Sequence, residues 1–420
     1  MPEDQTGAAT PASSERDGGP TGQAEPMSGS ARLLAYAIGA FGLGIGNSMV
    51  FLMPLRAREL GASFEFIGLL VAAASILPVL LAVPLGEVVD RFGPRRGFLL
   101  GAGTSAIVAA LAALVVNHWV LLVLQLAFGA TRGLGWIASQ SYVTGMATGT
   151  ARAANTGRFS LFSNAGTMIA PLLTGVVAQF VGFRWAFLFI AAYAGVFFVL
   201  GLGLKWSGRV SISAKRRRRD VGFRRALGLV AVPGVQAALF LTGARLWLAK
   251  TFTGFFPVLI VEAGVDPAVA GSVIAMSGLV ATMMAPTAGF WCRFARPATV
   301  CASALGCAAV GIAFGPQLVQ PPLVYLPAAM FGIGSGLSLP LLLTIVTNSA
   351  SESQRGLVLG LRQTVNNVAG STAPIVVGPL VAGVGMVLAF PLSAAVAAAA
   401  IAVAAVRGRT GPSPDASAAR

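Results

Sequence analysis

Charge is what this chain has least of. Only 10% of its 420 residues are Asp, Glu, Lys or Arg, while 56% are hydrophobic, and the mean hydropathy is +0.80. A soluble domain carries about 25% charged residues, so a protein that shows most of its surface to water is excluded. Histidine is almost missing: His118 stands alone between two apolar runs and reads as a solvated turn residue. The three cysteines, Cys292, Cys301 and Cys307, have no CxxC spacing and lie in or beside apolar runs. They read as small apolar fillers rather than a metal site. No nucleophile–base pair is visible, so neither an enzyme nor a cofactor is expected. The net charge of +15 would suit nucleic acid, but the basic residues gather in the gaps between apolar stretches, above all in "AKRRRRD" (214–220). No nucleic-acid partner is expected.

What is present is a series of long apolar runs. A bilayer core about 30 Å thick takes roughly 20 such residues per helix. The runs fall at roughly 33–55, 65–88, 97–117, 119–143, 159–180, 185–204, 236–260, 269–291, 298–317, 322–346, 359–382 and 386–406. They predict an all-α membrane protein of twelve transmembrane helices. The alternating ten-residue pattern of a barrel is absent. Most of the 52 glycines and 24 prolines lie inside the apolar runs, where membrane helices tolerate them. Residues 1–30 lack the basic start and apolar core of a signal peptide and read as a disordered tail, as do residues 408–420. A basic linker over 207–233 divides an N-terminal half, 31–206, from a C-terminal half, 234–407.

Lys and Arg in short loops set orientation. Even-numbered gaps hold Arg91, Arg95 and Arg96; Arg152 and Arg158; the basic linker; Arg293 and Arg296; and Arg355. Odd-numbered gaps hold only Arg56, Arg58 and Arg184. Both termini are therefore expected in the cytoplasm of a cell carrying this protein in its plasma or inner membrane.

Shifted by 203 residues, the chain matches itself. Pro54 falls on Pro257, Gly68 on Gly271, Asn164 on Asn367, Pro171 on Pro374 and Gly175 on Gly378. "FGATRGL" (128–134) falls on "FGIGSGL" (331–337). Matches of Asn, Pro and Arg at one ungapped offset exceed coincidence. Six spans separate the copies, so the halves share orientation, which is a transporter architecture.

The most specific motif is "GEVVDRFGPRR" (86–96), between spans 2 and 3, with a degenerate copy, "GFWCRFARP" (289–297). It resembles the signature of the major facilitator superfamily, and the resemblance covers nearly the whole chain between the tails. That resemblance implies two pseudo-symmetric six-helix bundles working by alternating access. It also implies conformational roles for Gly86, Asp90, Arg91, Gly93, Arg95 and Arg96. Gly86 would let two helices approach closely. Asp90 would face the N-terminus of span 11, where a carboxylate gains about 0.3–1 kcal/mol. "NAGTMIAPLLTG" (164–175) is similar to the family's antiporter motif, though Ala170 and Thr174 stand where glycines are usual. Pro171 would bend or gate that helix. The family's usual span 4 arginine would fall at Gln125; this chain carries Arg132 instead.

Ionisable groups at membrane depth are costly and functional by default. Arg132 lies mid-span 4, in a polar stripe of Gln125, Arg132, Trp136 and Gln140 expected to face a cavity. Lys250 lies mid-span 7 and matches Asn47 in the repeat. Phe256 would add an apolar wall. In span 11, Gln363, Asn366 and Asn367 share a face with Arg362, and Asn164 is the repeat partner of Asn367. These residues are candidates for substrate contact; Arg362 and Arg245, nearer the cytoplasm, are assigned to gating or a tie between halves. Arg245 and Lys250 are about 140° apart around their helix, so they cannot both point straight into one cavity.

No Asp or Glu lies mid-membrane. The expected substrate is therefore a small amphipathic molecule with an anionic or zwitterionic group. The expected task is its efflux by a monomer in the bilayer, coupled to protons, in the manner of the family's multidrug-resistance and antiporter members. The proton site is open between Glu87, Asp90 and the substrate itself. Import or exchange of small organic anions is the first rival, and a non-transporting receptor or scaffold the second.

Overall fold

The computed structural model describes residues 29–145, 149–204, 228–349 and 354–409. The expected tails and most of the basic linker lie outside the described residues. Every described element is helical, as lipid requires of a backbone that must satisfy its own polar groups. The N-terminal half comprises α1 (Gly29–Glu59), α2 (Phe64–Leu80), α3 (Ala82–Phe92), α4 (Pro94–Leu114), α5 (His118–Gly145), α6 (Gly149–Val181) and α7 (Phe183–Leu202). The C-terminal half comprises α8 (Pro233–Glu262), α9 (Pro267–Met284), α10 (Ala288–Trp291), α11 (Pro297–Phe314), α12 (Tyr325–Ser349) and α13 (Arg355–Arg409). Proline opens α4, α8, α9 and α11, the helix position where its missing N–H costs nothing.

Ten described helices are long and apolar enough to cross a membrane. The last, α13, is two helices meeting at Gly385 (φ 76°, ψ 164°). The apolar α2, continued by α3, supplies a further passage. The arrangement accommodates the twelve expected spans.

The 203-residue repeat is written into the backbone. Gly61 and Gly264 both have φ of 80°, and Gly182 (92°) is matched by Gly385 (76°). Only glycine adopts such angles at no steric cost. Both copies of span 2 break at equivalent points: α2 gives way to α3 at Leu81, and α9 ends at Met284 before a 3₁₀ turn, Ala285–Thr287.

Across the two halves the tightest packing is α2 on α13 and α6 on α9. Each crossing is made of glycine. A β-carbon at Gly175 would lie 2.8 Å from the Pro267 carbonyl oxygen, and one at Gly271 2.6 Å from that of Pro171. One at Gly378 would lie 2.7 Å from the Phe64 carbonyl oxygen, and one at Gly68 would strike that of Pro374. The two crossings are images of each other under the repeat. Both lie toward the end that carries Gly61 and Gly264, called here the sealed end. Arg58 ties the halves there too: Nε donates to Glu262 Oε1 at 2.6 Å, and the guanidinium lies 4.3 Å from the Phe64 ring centre.

The end carrying the Asp90 turn differs. Gly93 (φ 85°) makes the turn, and Arg95 Nη2 donates to the Leu202 carbonyl at 2.8 Å. Arg91 stacks on Phe92, and Arg96 is exposed. Two expected contacts are not made in this conformation. Asp90 is exposed and makes no hydrogen bond or ion pair among the described residues, so the expected contact with span 11 is not formed with them. A β-carbon on Gly86 would meet nothing within 4 Å, so Gly86 makes no close helix approach. The reason is common to both: the glycine crossings hold the halves together at the opposite end. His118 also departs from expectation, packing edge-on against Phe66 with ring centres 4.8 Å apart.

Candidate functional site: cations between the halves

Two cations occupy mid-span positions on helices of opposite halves. Arg132 on α5 is half-buried and has no hydrogen bond or ion pair among the described residues. It lies across Gly46 of α1, where a β-carbon would be 2.6 Å from Arg132 Cδ. A glycine on one helix thus makes room for the guanidinium of another. Beside it is a cavity of about 30 Å³ bounded by Gly42, Ser105, Thr131 and Trp136, room for a water or two. Ser105 and Thr131 are hydrogen-bonded at 3.1 Å, and Trp136 leans on Phe159 with ring centres 5.7 Å apart.

Lys250 on α8 reaches the other half. Its Nζ donates to Ser75 Oγ of α2 at 2.9 Å. One turn toward the sealed end, Gly254 lies against Val71, where a β-carbon would be 2.9 Å from Val71 Cγ1. Arg132 and Lys250 are close enough for their like charges to repel. Among the described residues no carboxylate pairs with either. Arg245 turns away from Lys250, its Nε donating to Ser338 Oγ of α12 at 3.0 Å. Arg362 on α13 is near enough to repel Arg245, and its enclosed Nε has no acceptor.

The other candidates divide. Asn47, Asn366 and Asn367 are half-buried; Gln140, Asn164 and Gln363 are exposed. Gln363 Nε2 donates to Asn367 Oδ1 at 3.1 Å, while Asn47 and Asn366 have no hydrogen-bond partner among the described residues. Pro171 is buried at the α6–α9 crossing.

Two candidates are displaced from the expected cavity wall. Phe256 is fully buried, stacked on Phe252 and near Phe390 in the packing of the C-terminal half. Gln125 is also fully buried, and neither amide atom has a partner among the described residues. It shares a helix face with Arg132 but lies two turns nearer the sealed end, where the helices converge. A cleft of about 280 Å³ between α8 and both arms of α13 is lined by apolar residues such as Val368 and Val396 and by none of the cations.

Sequence reasoning missed Gly46, Ser75 and the Arg58–Glu262 tie. One lone serine in an apolar run and one glycine among 52 carry no mark of their neighbours.

With this geometry in place, comparison with known proteins is informative. A family model described as Major Facilitator Superfamily matches residues 34–374 and 245–418. The chain is 24% identical over 390 residues to "Multidrug resistance protein MdtG" of Citrobacter koseri, covering 88% of this chain and 93% of the relative. Among solved structures, the nucleoside transporter NupG superposes with a TM-score of 0.74 at 14% identity, covering 90% of this chain and 99% of the other. A bacterial homologue of the human lysosomal transporter Spinster, in an inward-facing and occupied conformation, gives 0.72 at 14% identity, covering 92% and 98%.

Proposed function

This chain belongs to the Major Facilitator Superfamily, and from that premise we propose that it exports a small amphipathic molecule bearing an anionic or zwitterionic group, coupled to protons. It is a multi-pass membrane transporter and not an enzyme. The substrate class rests on one observation. Arg132 and Lys250 lie at membrane depth, on opposite halves, with no carboxylate paired to them among the described residues. Charges at that depth are normally paired, and the transported molecule supplies the missing partner as it binds. Asn47, Asn366 and Asn367 add amide donors and acceptors around the same space, and Trp136 adds an aromatic wall.

Direction follows from two supports. The curated relatives carry the name of a multidrug resistance protein, and α6 carries the antiporter-like motif. The Lys- and Arg-rich gaps place the Asp90 end in the cytoplasm. On that orientation the sealed end faces outward, both termini are cytoplasmic, and this conformation is the one that loads substrate from the cell. Residues 31–206 and 234–407 are the two bodies that rock, with 207–233 as their basic tether.

The test is transport by the purified protein in vesicles, driven by an imposed proton gradient, across a panel of amphipathic acids, zwitterions and lipophilic cations. Acids and zwitterions are expected to move, and Arg132→Ala to cut their transport about tenfold or more, the loss of a charged hydrogen bond. A strong preference for lipophilic cations would overturn the substrate class. Accumulation rather than depletion in overexpressing cells would favour the importer or exchanger of organic anions.

A further inference from the structure

The Lys250–Ser75 hydrogen bond joins the halves, yet it is not part of the symmetric scaffold that seals them. Applying the repeat to Ser75 and Lys250 gives Gly278 and Asn47. Gly278 has no side chain to offer and packs on Met168 instead, and Asn47 has no hydrogen-bond partner among the described residues. The glycine crossings come as a repeat-related pair; among the described residues this bond occurs once. Packing alone therefore does not call for it. Its position is also particular. Val71 and Gly254 touch one turn further toward the sealed end, so the bond lies at the boundary where the seal stops and the space between the halves begins. Of the ties between halves, Arg58–Glu262 and the glycine crossings lie deeper in the seal. Among the described residues, Lys250 alone holds both a half-to-half hydrogen bond and a place beside Arg132.

A neutral serine hydroxyl is a weak partner for an ammonium group. A carboxylate, sulfonate or phosphate arriving beside Arg132 is a stronger one, because it adds the attraction of opposite charges to the hydrogen bond. It would also screen the repulsion between the two cations. We propose that the Lys250–Ser75 bond is a one-sided latch between the halves, released when the anionic group of the transported molecule takes the Lys250 ammonium. This rests on the substrate class argued above, and it adds what that class is for: the charge that binds is the charge that unties α8 from α2. A neutral molecule of the same shape fills the space and leaves the latch closed.

The experiment measures spin-label distances across the sealed end in the full chain, reconstituted in lipid nanodiscs. Labels go on Val116→Cys and Gln320→Cys, sites near the ends of repeat-related helices, in a background with Cys292, Cys301 and Cys307 replaced. Without ligand, Ser75→Ala is expected to shift the ratio of sealed to open populations about tenfold toward open. Lys250→Gln should do the same, the double variant no more than either, and Ser75→Thr should restore the wild-type ratio by returning a hydroxyl. The ligand arm uses 2-naphthoate and its neutral analogue 2-naphthamide. Naphthoate should open the wild type and leave Lys250→Gln unmoved; naphthamide should open neither. An unchanged ratio in Ser75→Ala, or additive effects in the double variant, overturns the latch. If naphthoate binds Lys250→Gln as tightly as wild type, the anionic-substrate reading fails instead, whatever the latch does. A wild type that stays sealed with naphthoate bound through Lys250 overturns the release step.

Discussion

Gln125 is the residue whose environment least matches its chemistry. Its amide is fully enclosed and neither polar atom is satisfied. A buried polar group left unpaired costs about 1–3 kcal/mol. Gln125→Leu, similar in length and apolar, is therefore expected to stabilise the protein by about that amount, read as a rise in the thermal midpoint of the purified chain. A fall would mean that the amide has a partner in another conformation. The residue also shows where sequence reading stops. Seven residues on a helix turn about 700°, only about 20° short of two full turns, so Gln125 and Arg132 do share a face. Periodicity gives that angle but not the depth at which helices converge. Arg132 and Lys250 were legible because charge in an apolar run stands out against its background. Their neighbours were not, since Gly46 and Ser75 look like any other small residue in such a run, and only the fold shows that they face the two cations.

At the scale of the helices, the glycine crossings decide which end of the molecule is closed. The repeat at 203 residues predicts that Gly68 and Gly271, or Gly175 and Gly378, have equivalent surroundings. It does not say that Gly68 meets Gly378 while Gly271 meets Gly175. That exchange between halves is a property of the assembled bundles. Nor could the motif around residues 86–96 reveal that its own glycine lies in open space in this conformation. The contrast can be measured. Gly68→Leu and Gly271→Leu each place a side chain against a backbone carbonyl that cannot yield, so both are expected to open the sealed end and to cut transport by an order of magnitude or more. Overpacking of this kind costs typically about 1–3 kcal/mol. Gly86→Ala, with nothing within 4 Å of its new methyl group, is expected not to lower the thermal midpoint, since alanine is the better helix former by about 1 kcal/mol. Equal behaviour of Gly68→Leu and Gly271→Leu in sealed-end labelling would show that the two crossings share the load, as their symmetry requires.

For the whole molecule, the sequence declares two alike halves and leaves open which way they are tilted. Conformation is a matter of small differences between contacts made at opposite ends, and both sets of contacts are encoded in one chain. Here the sealed end holds Arg58–Glu262 and both crossings, while Asp90 at the other end is exposed and unpaired among the described residues. We propose that the Asp90 latch inferred from the loop motif belongs to the opposite tilt, in which the Asp90 end would close and the carboxylate would meet the N-terminus of the first arm of α13. Such an interaction contributes about 0.3–1 kcal/mol, and up to about 2 when partly buried. Two variants should then separate cleanly. Glu262→Ala removes a bond present in this conformation and is expected to shift the equilibrium toward the open sealed end. Asp90→Ala removes no bond here, so the thermal midpoint should hold, while transport slows roughly two- to thirtyfold as the opposite tilt loses its tie. If transport by Asp90→Ala matches that of the unaltered protein, the carboxylate has no role in closing that end, and the basic side chains of the turn carry the motif's function alone.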